Sequence, residues 1–326
     1  MILEEINTQK RVIMNPRKEI ITRCAHNPIL TRKDVPYPVA TVHNAGVIKY
    51  QGQYIMLFRS HLYNGRSIIG RADSTDGFSF TVNPNPFLIP ATEGVFAEYE
   101  AFGVEDLRIN PVGDEFLLTY SAYSCHGARI ALARTTDFET VERIALITQA
   151  DFRNVVLFPE KIKGRYVRLD RPHSEISPWS IWISYSPDLV HWGDSKVIMK
   201  PLAYHWDEMK IGPGAPPVKT GKGWLNIYHG VFKTMSGTVY RLGVALHALD
   251  DPARIIGVGD DWILQPEDPW ERSGYVPNVV FTCGAVPEED GTVKIYWGGA
   301  DTVMCVGTAK IDDLVSLCLS CSRPAV

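Results

Sequence analysis

The sequence predicts an all-β fold, a five-bladed β-propeller with an active-site cavity at its centre. A strand, a glycine turn and a second strand recur five times, at steps of 61, 51, 57 and 70 residues, with turn glycines Gly52, Gly113, Gly164, Gly221 and Gly291. An aspartate-bearing turn follows each pair, at Asp76, Asp137, Asp188, Asp250 and Asp312. Two markers that agree on units of about 60 residues indicate a repeat architecture. Four short strands per unit are typical of a propeller blade.

The aspartates of the second marker are predicted to build turns. Asp76, Asp137 and Asp188 recur periodically, and such residues hydrogen-bond the local backbone. We therefore assign them no chemistry.

Composition narrows the class of protein. The 326 residues carry 33 basic and 37 acidic side chains, a net charge of −4, and 45% are hydrophobic. This balance gives no reason to expect a nucleic acid or a membrane surface as partner. No apolar run approaches the roughly 18 residues of a membrane span, and the N-terminus lacks the apolar core of a secretory signal. A cytoplasmic location is expected.

The six cysteines are scattered, and reduced thiols are expected. Cys318 and Cys321 form a single C-x-x-C pair without a second pair at suitable spacing, so no metal site is predicted. Residues 1–40 are predicted to be an extended lead-in because they contain Pro28, Pro36 and Pro38. No linker divides the chain, so residues 1–326 are expected to form one domain.

Polar residues gather where the first strand of each hairpin begins and the second ends. These ends lie side by side because the two strands are antiparallel. In a propeller they would rim one face of the central channel, and burial without partners would be costly. First-strand starts carry Asn44, Glu105, Asp106, Arg153, Asn154, Lys210 and Asn278; second-strand ends carry Arg59, Tyr123, Ser124, Asp170, Arg171, His229 and Asp301.

The strings around these positions resemble glycoside hydrolase family 130. They are HNAGV (43–47), GVEDLRI (103–109), NVVLFPEKIKGRYVRLDRP (154–172), KIGPGAPP (210–217), LNIYHGV (225–231), VPNVVFTCGA (276–285) and GGADT (298–302). The resemblance implies a five-bladed propeller acting on β-mannosides, in most members as an inverting phosphorylase. Leu107 departs from the family, which usually has Pro there; we expect altered packing more than altered chemistry.

The resemblance implies that Asp106 is the general acid, which reaches the glycosidic oxygen through the mannose 3-hydroxyl. Such an acid needs a pKa raised by burial or neighbouring charge. Glu105 and Asp106 are consecutive on a strand, so they are expected to point to opposite faces. A structural alternative is that Asp106 pairs with Arg108.

The resemblance assigns Arg153, Arg171, Lys210 and His229 to phosphate, the co-substrate; no cofactor is implied. Guanidinium groups bind phosphate bidentately and lysine adds a compact charge. Arg153 could instead pair with Asp151. The substrate-binding set comprises Asn44, Arg59 and Asp301 for the mannosyl ring, together with Glu105 and Tyr123. Asp301 could instead be a turn residue.

Two other functions stay open. The first is a β-mannoside hydrolase on the same fold, with Glu100, Glu160 or Glu208 as base, because inverting hydrolysis needs a second carboxylate. The second is a non-catalytic carbohydrate-binding propeller. The sequence leaves open whether the linkage is β-1,2 or β-1,4 and which acceptor is used. Family members often assemble, so a homo-oligomer is one state that the resemblance allows.

Overall fold

The computed structural model describes residues 20–321 and 323–326, and the predicted all-β fold is confirmed. The strands fall into five consecutive groups. The first holds β2 (His43–Tyr50), β3 (Gln53–His61), β4 (Ser67–Ser74) and β5 (Thr81–Val82); the second holds β6 (Gly103–Val112), β7 (Glu115–Ser124), β8 (Gly127–Thr135) and β9 (Glu142–Leu146); the third holds β10 (Phe152–Leu157), β11 (Tyr166–Pro172), β12 (Ile181–Ser186) and β13 (Gly193–Met199).

The fourth group contains a broken first strand, β14 (Lys210–Pro213) and β15 (Val218–Lys219), followed by β16 (Trp224–Thr234), β17 (Gly237–His247) and β18 (Ile255–Val258). The fifth contains β19 (Val280–Pro287), β20 (Thr292–Gly299), β21 (Val303–Lys310) and β1 (Thr22–Arg23). The helices are α1 (Gly94–Tyr99), α2 (Pro269–Arg272), α3 (Ile311–Ser320) and a 3₁₀ turn at Arg32–Asp34. In the described part of the chain, no helix has the length and apolarity needed to cross a membrane.

Hydrogen bonding joins these groups into four sheets. The first two groups share one eight-stranded sheet because a single parallel residue pair, Ser67 with Gly103, links β4 to β6. The other three groups are separate sheets. Strand β1 pairs with β21 through Thr22 and Thr308, so part of the predicted lead-in completes the fifth group; residues 1–19 lie outside the described residues.

Four of the five turn glycines are left-handed, and Gly221 is not. In the β2–β3 turn, Gln51 and Gly52 have φ of 49° and 81°, and Lys163 and Gly164 before β11 have 51° and 78°. Two consecutive left-handed residues make the tight turn that suits a hairpin's twist. Gly113 and Gly291 are also left-handed, at 63° and 80°.

Three of the marker aspartates are confirmed as turn-builders. Asp76 Oδ1 accepts the backbone N–H groups of Phe78 and Ser79 at 2.7 and 2.8 Å, and Asp137 and Asp188 repeat the pattern. These backbone bonds lower the pKa of Asp76 to about 2. Asp312 differs, because it lies in the first turn of α3, where a carboxylate favours the helix N-terminus.

Five hydrophobic clusters fill the spaces between neighbouring groups, and one of them joins the fifth group to the first. Inward-facing residues of adjacent sheets bury their apolar surface against one another, which is the dominant favourable term in folding. Representative pairs, in order from groups one and two to groups five and one, are Leu57 with Leu118, Leu117 with Val155, Leu169 with Trp224, Leu242 with Val280, and Val286 with Val47.

The first strands of neighbouring groups contact one another. Strand β2 contacts β6 and β19, β6 also contacts β10, and β10 contacts β14. The polar ends of these strands are thereby brought together.

Candidate active site

A β-bulge interrupts the first strand of three groups at the same place. The strand pairing shifts register between His43 and Gly46, between Glu105 and Arg108, and between Arg153 and Val156. The bulged residues Asn44, Asp106 and Asn154 have φ of 50°, 52° and 60°. Asn and Asp are among the residue types that tolerate this left-handed conformation. The bulges re-aim these three side chains.

Asp106 is held in a buried network with two donors. Its Oδ1 accepts Asn44 Nδ2 at 2.9 Å and Arg59 Nη1 at 3.1 Å. Arg59 also donates to Glu105 Oε1 at 2.6 Å. Both consecutive carboxylates therefore face Arg59, and the expectation that they point to opposite faces is wrong, because the bulge breaks the alternation of the strand.

The electrostatics of Asp106 also differ from the expectation. Burial alone raises its pKa, but the guanidinium groups of Arg59 and Arg108 and the Asn44 hydrogen bond outweigh burial and hold the pKa below its usual range. Asp106 is therefore a carboxylate at neutral pH, and the raised pKa expected of an acid is not found.

Glu105 connects this network to the predicted phosphate cations. Its Oε2 accepts Arg153 Nη1 at 3.1 Å, so Arg153 pairs with Glu105 and not with Asp151. The guanidinium of Arg153 also lies 5.5 Å from the centre of the Tyr123 ring. Glu105 thus occupies a position between Arg59 and Arg153.

Arg171 and Lys210 share one aromatic neighbour. Strand pairing sets Arg153 opposite Arg171, as hairpin geometry predicts. The Arg171 guanidinium lies 5.2 Å and the Lys210 Nζ 4.7 Å from the Trp179 ring centre, and Lys210 also lies 5.3 Å from Tyr240. Burial, with Arg171 and Arg153 nearby, lowers the pKa of Lys210 to about 8. The two guanidinium groups therefore disfavour the charge of Lys210.

His229 is buried and neutral, and it is a partner of a cation. Its Nε2 must accept the Arg171 Nη1–H at 3.0 Å, because a guanidinium can only donate. Burial, followed by Arg171, Arg108 and Lys210, holds the pKa of His229 well below its usual value. The side chain aligns Arg171 and adds no positive charge. That His229 binds phosphate stays a prediction; because its imidazole is neutral, it would do so through a hydrogen bond and not through charge.

Asp301 faces the site from the end of β20 with no hydrogen-bond partner for its side chain among the described residues. Burial raises the pKa of its carboxyl to about 7, although the charge of Arg59 opposes this shift. Asp301 is left-handed, with φ of 50°, so it does turn the chain. A carboxyl without an internal partner remains available to a sugar hydroxyl.

The sequence reasoning missed two aromatic residues and misjudged an arginine. Trp179 and Tyr240 flank Lys210, and neither lies at the start of a first strand or the end of a second strand, where the polar residues gather. Arg108 does not pair with the Asp106 carboxylate; its Nη1 donates to the Asp106 backbone carbonyl at 2.6 Å. The signal for Arg108 was a charged residue inside the apolar string GVEDLRI.

The glutamates proposed as a hydrolytic base are engaged elsewhere. Glu100 is fully buried and accepts hydrogen bonds from Arg143 and Tyr120. Glu160 pairs with Lys219 on the surface, and Glu208 accepts the backbone N–H of Tyr204. Among the described residues, none of the three forms a hydrogen bond or ion pair with Asp106, Arg171 or Lys210.

Buried carboxylates lie beside Arg171 and Lys210, neither of which has a carboxylate partner among the described residues. This arrangement is typical of an enzyme that brings an anion to a neutral substrate. Comparison with known proteins agrees. The family profile described as β-1,4-mannooligosaccharide phosphorylase matches residues 9–320, and the chain belongs to glycoside hydrolase family 130.

Three relatives are informative. The chain is 35% identical to a 1,2-β-oligomannan phosphorylase of Thermoanaerobacter sp. strain X514, over 90% of this chain and 98% of that protein. It is 32% identical to a β-1,4-mannooligosaccharide phosphorylase of Ruminococcus albus, over 91% and 90% of the two chains. The solved structure of a β-1,2-mannobiose phosphorylase from Listeria innocua, in complex with β-1,2-mannobiose, superposes with a TM-score of 0.84 at 32% identity, covering 91% of this chain and 99% of that one.

Proposed function

We propose that this chain is an inverting β-mannoside phosphorylase that cleaves its substrate with inorganic phosphate and releases α-D-mannose 1-phosphate. One observation carries the proposal: among residues 20–321 and 323–326, neither Arg171 nor Lys210 has a carboxylate within salt-bridge distance. Removing cations from water without a counter-ion is costly. A phosphate dianion would compensate the charges of Arg153, Arg171 and Lys210 together.

The reaction needs one acid and no base. A phosphate oxygen forms a bond to the anomeric carbon on the face opposite the glycosidic oxygen, whose bond to that carbon breaks. The departing oxygen takes a proton that originates on Asp106, by resemblance through the mannose 3-hydroxyl. Phosphate is already an anionic nucleophile, so the second carboxylate of an inverting hydrolase is unnecessary.

Bound phosphate also favours the protonated form of Asp106 that the reaction needs. Asp106 is ionised because Arg59 and Arg108 favour its charged form. A dianion bound beside Arg108, Arg171 and Lys210 offsets this positive field, and a nearby negative charge raises the pKa of a carboxyl. Binding of phosphate and mannoside is therefore coupled to uptake of a proton by Asp106.

The mannosyl ring is assigned to Asn44, Arg59 and Asp301, with Glu105 and Tyr123 completing the substrate-binding set. Arg59 already has four hydrogen-bond partners, including Ser67 and His61, so it is rigid before substrate arrives. Such preorganisation lowers the barrier because orientation is fixed in advance.

We propose a β-1,2 linkage for the substrate. The identity to the β-1,2-oligomannan enzyme, 35%, exceeds the 32% to the β-1,4 enzyme, and the mannobiose-bound neighbour has a TM-score of 0.84. Both kinds of relative cover nine-tenths or more of this chain.

We further propose that the five strand groups are the blades of one single-domain propeller with the site in its central cavity. The five inter-group clusters, including the one between groups five and one, support this architecture. A cytoplasmic location is supported by the buried thiols of Cys283, Cys305 and Cys318, none of which forms a disulfide.

The test compares β-1,2-mannobiose with β-1,4-mannobiose, each with and without inorganic phosphate, and identifies the products by NMR. The expected result is α-D-mannose 1-phosphate plus mannose from the β-1,2 disaccharide, only when phosphate is present. Equal cleavage in phosphate-free buffer would overturn the proposed reaction. Preference for the β-1,4 disaccharide would overturn the linkage alone.

A further inference from the structure

Arg108 on β6 is a fully buried cation without an anionic partner. Its relative exposure is 1%, and in the described part of the chain no carboxylate lies within 4.0 Å of its guanidinium. Its nitrogens donate instead to neutral oxygens: Nη1 to the Asp106 carbonyl at 2.6 Å, Nε to the Gly214 carbonyl at 3.2 Å and Nη2 to Asn154 Oδ1 at 3.2 Å. A buried charge satisfied in this way needs a reason to be retained.

The three acceptors belong to three different strand groups. Asp106 and Asn154 are the bulged residues of β6 and β10, and Gly214 directly follows β14, which begins with Lys210. One planar guanidinium therefore ties the backbone of the proposed acid to the two strands that present the phosphate cations. The planar fork of arginine, with its donors at fixed angles, is suited to such a three-way connection.

We propose that Arg108 is a positioning residue, which fixes the Asp106 bulge relative to the phosphate-binding side of the site. The inference rests on the proposed phosphorolysis and names a residue for it that does not contact substrate. Without the bond to its carbonyl, the bulge is free to change, and the Asp106 carboxyl loses its alignment with the leaving oxygen.

The charge of Arg108 acts at the same time on both halves of the site. It contributes to the lowered pKa of Asp106 and of His229. Other titratable groups face the Asp106 carboxylate from other parts of the chain, and the variants below leave all of them in place. They are Arg59, His43, His61, Asp301, Arg171 and His229. Cys283 and Tyr240 also face it and are neutral, because burial raises the pKa of each.

Two variants separate the connection from the charge. Arg108→Lys keeps a positive charge but cannot reach all three acceptors, and a misplacement of about 1 Å can cost on the order of 100-fold in rate. We expect kcat to fall by about that factor, with both KM values within about threefold of wild type and the pH profile unmoved. Arg108→Met also removes the charge, so the loss of activity at high pH should begin about one pH unit higher.

The matched control is Arg168→Met. Arg168 is also a buried arginine that donates to a backbone carbonyl, that of Ile147, but its other hydrogen-bond partner is the Asp170 carboxylate, and it is not among the groups that shift the pKa of Asp106. We expect lower thermal stability with kcat and the pH profile unchanged. The rates are measured as phosphate-dependent release of mannose 1-phosphate. A wild type without phosphate dependence would therefore show that the proposed function is wrong, whereas wild-type kinetics in Arg108→Lys would show that the positioning role is wrong.

Three results would overturn the positioning role. Two of these bear on the connection: wild-type kcat in Arg108→Lys, or a rise in either KM that accounts for the whole loss. The third, an Arg108→Met pH profile that matches wild type, would show that the Arg108 charge does not act on the Asp106 carboxyl as the proposed arrangement requires. If Arg108→Met does not fold, the kcat and KM values of Arg108→Lys decide the question.

Discussion

Lys210→Ala tests the anion site most specifically among single substitutions. The ammonium lies against the rings of Trp179 and Tyr240 and has no carboxylate partner in the described chain, so its removal breaks no internal ion pair. A charge-assisted hydrogen bond in a site that excludes water contributes about 1.5–3 kcal/mol. At about 1.4 kcal/mol per tenfold change, the phosphate KM should rise roughly 10- to 150-fold.

The assay measures initial rates of mannose 1-phosphate release, first with phosphate varied at saturating mannoside and then with the roles exchanged. The mannoside KM should change by less than about threefold, because a lost phosphate contact does not remove a sugar contact. Lys219→Ala is the matched control: this lysine lies 5.4 Å from the Trp224 ring and pairs on the surface with Glu160 at 2.7 Å. Its kinetics should equal wild type. An unchanged phosphate KM in Lys210→Ala, or an equal rise in both KM values, would refute the assignment.

Three further predictions concern the acid, the pH dependence and stability. Asp106→Asn should lower kcat by about 10² to 10⁴ while calorimetry still detects mannoside binding, since the amide keeps the shape but cannot supply the proton; retained turnover would show that the acid is misassigned. The pKa of Lys210 is lowered to about 8, so its cation is present below that pH and is lost above it; the phosphate KM of wild type should rise through pH 8, a rise that Lys210→Ala lacks. Arg323→Met leaves the buried Asp207 carboxylate without its ion pair at 2.6 Å and should lower the free energy of unfolding, measured by urea titration, by about 3 kcal/mol. The control Arg254→Met removes an exposed pair with Asp250 and should change that free energy by less than about 0.5 kcal/mol. Equal effects of the two variants would contradict the role of burial.

The sequence was sufficient for features that depend on periodicity. Turn glycines and turn aspartates repeat because each hairpin needs a left-handed residue or a side-chain acceptor at the same place. Because the two strands of a hairpin are antiparallel, the start of the first strand lies beside the end of the second, which places Arg153 opposite Arg171. The grouping of Asn44, Arg59 and Asp106 also follows from strand ends that meet at the inner strands.

Two features of the site could not be predicted from the sequence. One is the local backbone geometry at the bulges, and the other is the electrostatic field that sets the pKa values. Strict alternation places Glu105 and Asp106 on opposite faces, yet one left-handed residue brings both to Arg59. Protonation is equally hidden, because the pKa of Asp106, His229 and Lys210 is set by burial and by several charges from distant parts of the chain. An asparagine or aspartate within an otherwise apolar strand start, as at Asn44, Asp106 and Asn154, is the one signal for the bulges that was present.

The central claim is that Arg171 and Lys210 together bind phosphate beside the mannoside. A crystal structure of the protein grown with phosphate and an unreactive mannoside would test this claim most directly. We predict a phosphate whose oxygens lie within hydrogen-bond distance of Arg171 and Lys210, on the side of the mannosyl ring opposite the Asp106 carboxyl. Phosphate bound elsewhere, or side chains of Arg171 and Lys210 turned toward bulk solvent with the mannoside in place, would contradict it.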